Sequence, residues 1–236
     1  MKKKWVPYIV FFGLLLTGYF VFVFATNDFS QSNLPVINSN IPVFSFTNQD
    51  GKTITERDVE GKVYVVDYFF TTCTGICPRM NGNMRRVFDA YKNEKDFMVL
   101  SHTCMPETDS VSVLKTYQIK MLNGVLNKVG NSKYIVQYDS SMGKNITSTN
   151  WQFLTGNKEA LYKLARHGYL IDNNKPDSAQ NVGTDFLHTQ FFALVDKQSR
   201  VRGIYDGLQD DEIGKLLKDI KGLLAEKTPT RSLKGF

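Results

Sequence analysis

The chain has 236 residues, a formal net charge of +6, 42% hydrophobic residues and three cysteines. Less an N-terminal apolar segment, that length suits one domain with an ample core. Three cysteines exclude a dense disulfide scaffold, and the absence of a Lys/Arg cluster interleaved with aromatics argues against a nucleic-acid partner.

Residues 1–25, MKKKWVPYIVFFGLLLTGYFVFVFA, set three lysines ahead of an uncharged run from Trp5 to Ala25. As a helix the run is about 30 Å long, the thickness of a bilayer core and more than a cleaved signal usually carries. A single-pass anchor in the cell membrane is expected, with the lysines in the cytoplasm and everything after Ala25 on the outer side. Residues 26–40 are polar and read as a linker tethering the domain. Residues 41–225 read as one domain and 226–236 as a basic tail.

Within the domain, IPVFSFTNQDGKTIT alternates around Asp50-Gly51, a hairpin signal. KVYVVDYFF is a buried strand with one polar intruder, Asp67. PRMNGNMRRVFDAYKN is helical, with Pro78 tolerated in the first turn. DFMVLSH is a second strand, and DSVSVLKTYQIKML a helix with Asp109 as its N-cap. KYIVQYDSS is extended, and GNKEALYKLARHGY is a helix capped by Asn157. LIDNNKPDSAQNVGTDFLH is a long polar excursion. TQFFALVDKQSRVRGIYDG forms two antiparallel strands joined at Lys197-Gln198. DDEIGKLLKDIKGLLAEK puts Ile213, Leu216, Leu217, Ile220, Leu223 and Leu224 on one helical stripe. This order predicts an α/β, thioredoxin-like fold with an N-terminal β-hairpin, preceded by a single transmembrane helix.

Cys73 and Cys77 fall where a strand hands over to a helix. Spacing of four lets one turn bring both sulfurs to the same side, and the helix N-terminus favours thiolates. Such a pair can close to a disulfide or grip a soft metal. Three residues between the cysteines, rather than two, leave room for an ion. The motif alone leaves metal binding and redox exchange level.

DYFFTTCTGICPRM, PETDSVSVLKTY, WQFLTG and DFLHTQFFALVDKQSRVRGIYDG together resemble the Sco/SenC family of membrane-anchored copper proteins, over roughly residues 41–225. The resemblance implies a thioredoxin-like fold and one bound copper ion, Cu(I) or Cu(II), held by Cys73, Cys77 and His188. It implies a metallochaperone serving the copper-centre subunit of cytochrome c oxidase. Soft Cu(I) suits thiolates, and imidazole suits either oxidation state. The alternative is a membrane-anchored thiol–disulfide oxidoreductase using Cys73 and Cys77 as its redox-active pair without metal; a thiol peroxidase is a lesser rival.

The chain departs from the family where SHTCMPETDS lacks the usual aspartate before proline. His102, Cys104 and Met105 stand there instead, all with copper-donor atoms, and Cys104 reads either as an auxiliary thiol or as a small buried residue. Asp67 reads as a structural aspartate or as a group that moves protons at the site. Met80 and Met84 read as core packing, and His167 as a solvent-facing residue near a helix end.

Overall fold

The computed structural model describes residues 5–26, 34–130, 133–139, 150–172, 187 and 189–226. The apolar N-terminal run forms helix α1, Val6–Thr26. It is long and apolar enough to cross a membrane, and its best 18-residue stretch is not buried against the domain.

A seven-stranded mixed sheet organises the rest. It comprises β1 (Ser45–Asn48), β2 (Thr53–Thr55), β3 (Val63–Phe69), β4 (Phe97–Thr103), β7 (Trp151–Thr155), β8 (Phe191–Val195) and β9 (Val201–Asp206), in the order β2-β1-β7-β4-β3-β8-β9. At its centre β3, β4 and β7 run parallel, in register from Val63 opposite Phe97 to Phe69 opposite Thr103. Every residue of β3, β4 and β7 is buried, as expected of parallel strands covered on both faces. The hairpin β1–β2 turns at Gly51, whose φ of +74° favours glycine.

Helices α2 (Cys77–Tyr91), α3 (Val111–Asn123) and α5 (Asp210–Ala225) cover one face of the sheet. The α5 stripe buries Ile213, Leu216, Ile220 and Leu223, each contributing about 1.5–3 kcal/mol of apolar burial. Helix α4 (Lys158–Lys163), continued by a π-helical turn over Leu164–Tyr169, covers the other face. Asn157 caps α4 by accepting from the Ala160 N–H at 2.9 Å. This is the mixed α/β, thioredoxin-like arrangement that the element order predicts.

Four features differ from the sequence reading. WQFLTG becomes the central strand β7. VLNKV becomes β5 (Val125–Val129) and pairs with β6 (Lys133–Gln137) as a separate hairpin lying across α2. Gly82 allows that approach, since a Cβ there would lie 1.9 Å from the Tyr134 carbonyl oxygen. Ser110, not Asp109, precedes the first residue of α3 as its N-cap. The end of the linker is docked rather than free: Ile37 and Val201 backbones bond at 2.8 Å, and Arg202 Nη2 donates to the Leu34 carbonyl at 2.7 Å. Most of the polar excursion lies outside the described residues.

Candidate metal centre

The parallel strands carry their carboxyl ends to one edge of the sheet, where open α/β sheets place ligands. There β3 runs out through Phe70, Thr71 and Thr72 into a turn that ends at Cys77, the first residue of α2. The Cys73 N–H donates to the Phe70 carbonyl at 3.2 Å, and the Met80 N–H to Ile76 at 3.0 Å. Pro78 sits in the first helical turn, where a missing N–H costs nothing.

Both cysteines are free thiols, Cys73 half-buried and Cys77 buried. Both line one cavity, with the Cys73 thiol and the Phe70 N–H near the Cys77 sulfur. Burial, and then the neighbouring Cys73 thiol, push the Cys77 thiol well above the usual range, against the Phe70 N–H. The helix N-terminus was expected to favour thiolates; at Cys77 desolvation outweighs it. Two soft donors lining one cavity fit a soft cation, whose charge would offset this cost of ionisation.

The cavity is about 350 Å³ and is lined by Cys73, Cys77, Cys104, Phe70, Leu187 and Thr189, among others. Cys104 is buried at its floor, just past the end of β4, and its N–H donates to the Phe69 carbonyl at 2.7 Å. His188 lies outside the described residues; its neighbours Leu187 and Thr189 line the cavity beside the cysteines. Among the described residues, no three His, Cys, Asp or Glu side chains group as a metal site.

The remaining candidates separate. Alternation along β4 sends His102 to the opposite face from Asp67. Its ring stacks on Tyr68 with centroids 5.0 Å apart and meets Phe46 at 5.4 Å and Tyr169 at 5.8 Å. It does not line the cavity, and neither ring nitrogen has a hydrogen-bond partner among the described residues. The structure therefore does not bring His102 to the cysteines. Burial pulls its pKa down to about 3. The ring is neutral when folded but charges below about 6.5 when unfolded, so this term removes stability as pH falls from 6.5 towards 3. His102→Leu is expected to abolish that loss, about 2 kcal/mol by pH 5, and to leave metal binding unchanged; urea unfolding at pH 7 and pH 5 measures the difference. Met80 and Met84 are core residues. The exposed His167 lies on the π-helical turn, where its carbonyl accepts from Asn38 Nδ2 at 3.0 Å.

Asp67 sits on the α2 face of β3, fully buried. Ser101 Oγ donates to its Oδ1 at 2.5 Å, and Trp151 Nε1 donates to Ser101 Oγ at 2.9 Å. Its Oδ2 has no hydrogen-bond partner among the described residues. Burial raises its pKa to about 7, against the Ser101 bond.

Asp109 is a site residue that the sequence reading assigned to the wrong task. It is buried and accepts from the Thr71 N–H at 3.2 Å, from Thr71 Oγ1 at 2.6 Å and from Thr103 Oγ1. It thus brackets the start of the cysteine turn to the end of β4. Only its place in the Pro-Glu-x-Asp run hinted at this. Asp109→Ala is expected to cost about 2 kcal/mol in urea unfolding, because it orphans buried donors.

A sequence profile of the family described as SCO1/SenC matches residues 38–143 and 131–225. The SCO1 protein homolog of Bacillus subtilis (strain 168) is 26% identical over 208 residues, spanning 87% of this chain and 94% of that protein. The structure of BsSco, described as a member of the Sco family of cytochrome c oxidase assembly proteins in which a disulfide switch was identified, superposes with a TM-score of 0.60 at 25% identity. The match covers 84% of this chain and all of that one. Copper-bound ScoI of Arabidopsis thaliana shares the fold, with a TM-score of 0.53 at 21% identity over 77% of this chain and 99% of that one. The extent of the profile match, over the domain that carries both cysteines, makes the chain a member of the SCO1/SenC family.

Proposed function

We propose that the chain is a membrane-anchored copper metallochaperone. It takes one copper ion on Cys73, Cys77 and His188 and passes it by ligand exchange to the copper-centre subunit of cytochrome c oxidase. The observation that carries this reading is that Cys73 and Cys77 line one cavity together with Leu187 and Thr189, the neighbours of His188. Copper bound to the Arabidopsis relative and the assembly role of BsSco support it. Helix α1 supports attachment to the membrane, and the lysines at 2–4 favour a domain on the outer side. Phe69, Phe70, Ile76 and Leu187 in the cavity lining would lower the dielectric around the ion, and Asp109 would hold the turn in shape for it.

Two free, adjacent thiols also fit a thiol–disulfide oxidoreductase. His188→Ala separates the two readings. For a copper carrier, affinity falls about tenfold or more while thiol exchange persists, measured by competition with a chromophoric Cu(I) chelator. Unchanged copper affinity would favour the oxidoreductase.

A further inference from the structure

Asp67 is a buried acid that the copper reading does not use. It interrupts a strand whose other residues are all apolar or aromatic, on the face that α2 covers. One oxygen is fixed by Ser101, itself held by Trp151, while the other has no partner among the described residues. The titratable groups that feel its charge are Cys77 on α2, Cys104 beyond β4 and Tyr117 on α3. Cys73 lies beside Cys77, and Asp109 lies beyond Thr103. From β7 and β8 the same face presents Trp151 and Phe192. All these neighbours are neutral or acidic, so a cation entering at Cys77 is the charge to which Asp67 would respond most strongly.

We propose that Asp67 is the charge-compensating group of the cavity: its carboxyl is ionised while the cavity holds Cu(II) and takes up one proton when that ion becomes Cu(I). The step balances as Cu(II) plus an electron from an external one-electron reductant, with the Asp67 carboxylate plus a proton from solvent, giving Cu(I) and the Asp67 carboxylic acid. The thiolate ligands are unchanged throughout. A buried carboxylate beside a site that has lost one positive charge is expensive, and protonation removes that cost. Burial already places the carboxyl near neutrality, so little further perturbation is needed. By reciprocity, copper reduction becomes easier as pH falls. This role rests on the copper reading above; Asp67 acts on the ion through charge and is a positioning residue, not a ligand.

The test is the midpoint potential of the copper-loaded full chain in detergent micelles, titrated from pH 5 to 9, for the wild type and Asp67→Asn. Over part of that range the wild-type potential should fall by up to about 59 mV per pH unit, one proton per electron. Asp67→Asn should remove that component. Equal slopes in the two proteins overturn the role while leaving the copper reading intact. A full chain that takes up no copper overturns both. Should the variant fail to load, the wild type decides alone. Its infrared difference spectrum on reduction must gain the carbonyl band of a protonated carboxylic acid, and absence of that band overturns the proposal.

Discussion

Serine at both Cys73 and Cys77 is expected to abolish copper(I) binding, weakening it by at least about a thousandfold, or roughly 4 kcal/mol. Hydroxyl groups are hard, weakly acidic donors, and Cu(I) gains little from them that water does not supply. Both thiols line one cavity, so the two substitutions leave Cys104 as the last thiol in its lining. The fold should survive. Cys73 is half-buried, and the turn is held by Asp109 and backbone bonds rather than by sulfur. Each single variant should be nearly as damaging, because one thiolate with an imidazole binds soft Cu(I) far more weakly than two thiolates do. Chelator competition, with circular dichroism to confirm folding, gives the answer; retention of wild-type affinity by the double variant would end the copper assignment.

Asp67→Asn is expected to stabilise the copper-free protein at pH 8 by about 4 kcal/mol relative to its effect at pH 4. The sign follows from the raised pKa, about 7 folded against 3.8 for the free group. Below about 4 both states hold the proton and Asp67 contributes no pH dependence. Between 4 and 7 the unfolded chain ionises while the folded one does not, so rising pH draws the equilibrium towards unfolding. Above 7 the penalty is complete and constant. Asparagine keeps the shape and a partner for Ser101 but has no charge to desolvate. His102 works in the opposite direction over an overlapping range, since its lowered pKa costs stability as pH falls. The wild-type profile should therefore be flatter than that of either variant. Urea unfolding of the wild type, Asp67→Asn and His102→Leu at pH 4, 6 and 8 would expose the two opposed slopes. Parallel profiles for the wild type and Asp67→Asn would show that the carboxyl is not desolvated as the structure places it.

Much of this architecture was legible from pattern. Continuous apolar runs announced β3 and β4, the 3.6-residue stripe announced α5, and Asp50-Gly51 announced the first hairpin. β7 escaped because WQFLT is five residues long and its burial comes from strands distant in sequence. The β5–β6 hairpin escaped because its strands are only partly buried and depend on Gly82 for their seat. Asp109 was read as a helix cap because local sequence offers that role. Its real donors, Thr71 and Thr103, lie on two other segments.

By itself the sequence determined that two thiols stand four residues apart at a strand-to-helix turn, behind an apolar N-terminal run, because spacing and periodicity are local properties. Tertiary structure decided which other groups share their surroundings. Strand alternation turned His102 into an aromatic box on the far face, set Asp67 beneath α2 with one oxygen unpaired among the described residues, and the end of β4 brought Cys104 into the cavity lining. Charge and desolvation depend on what packs within a few ångströms. That is settled only when strands from distant parts of the chain close into one sheet.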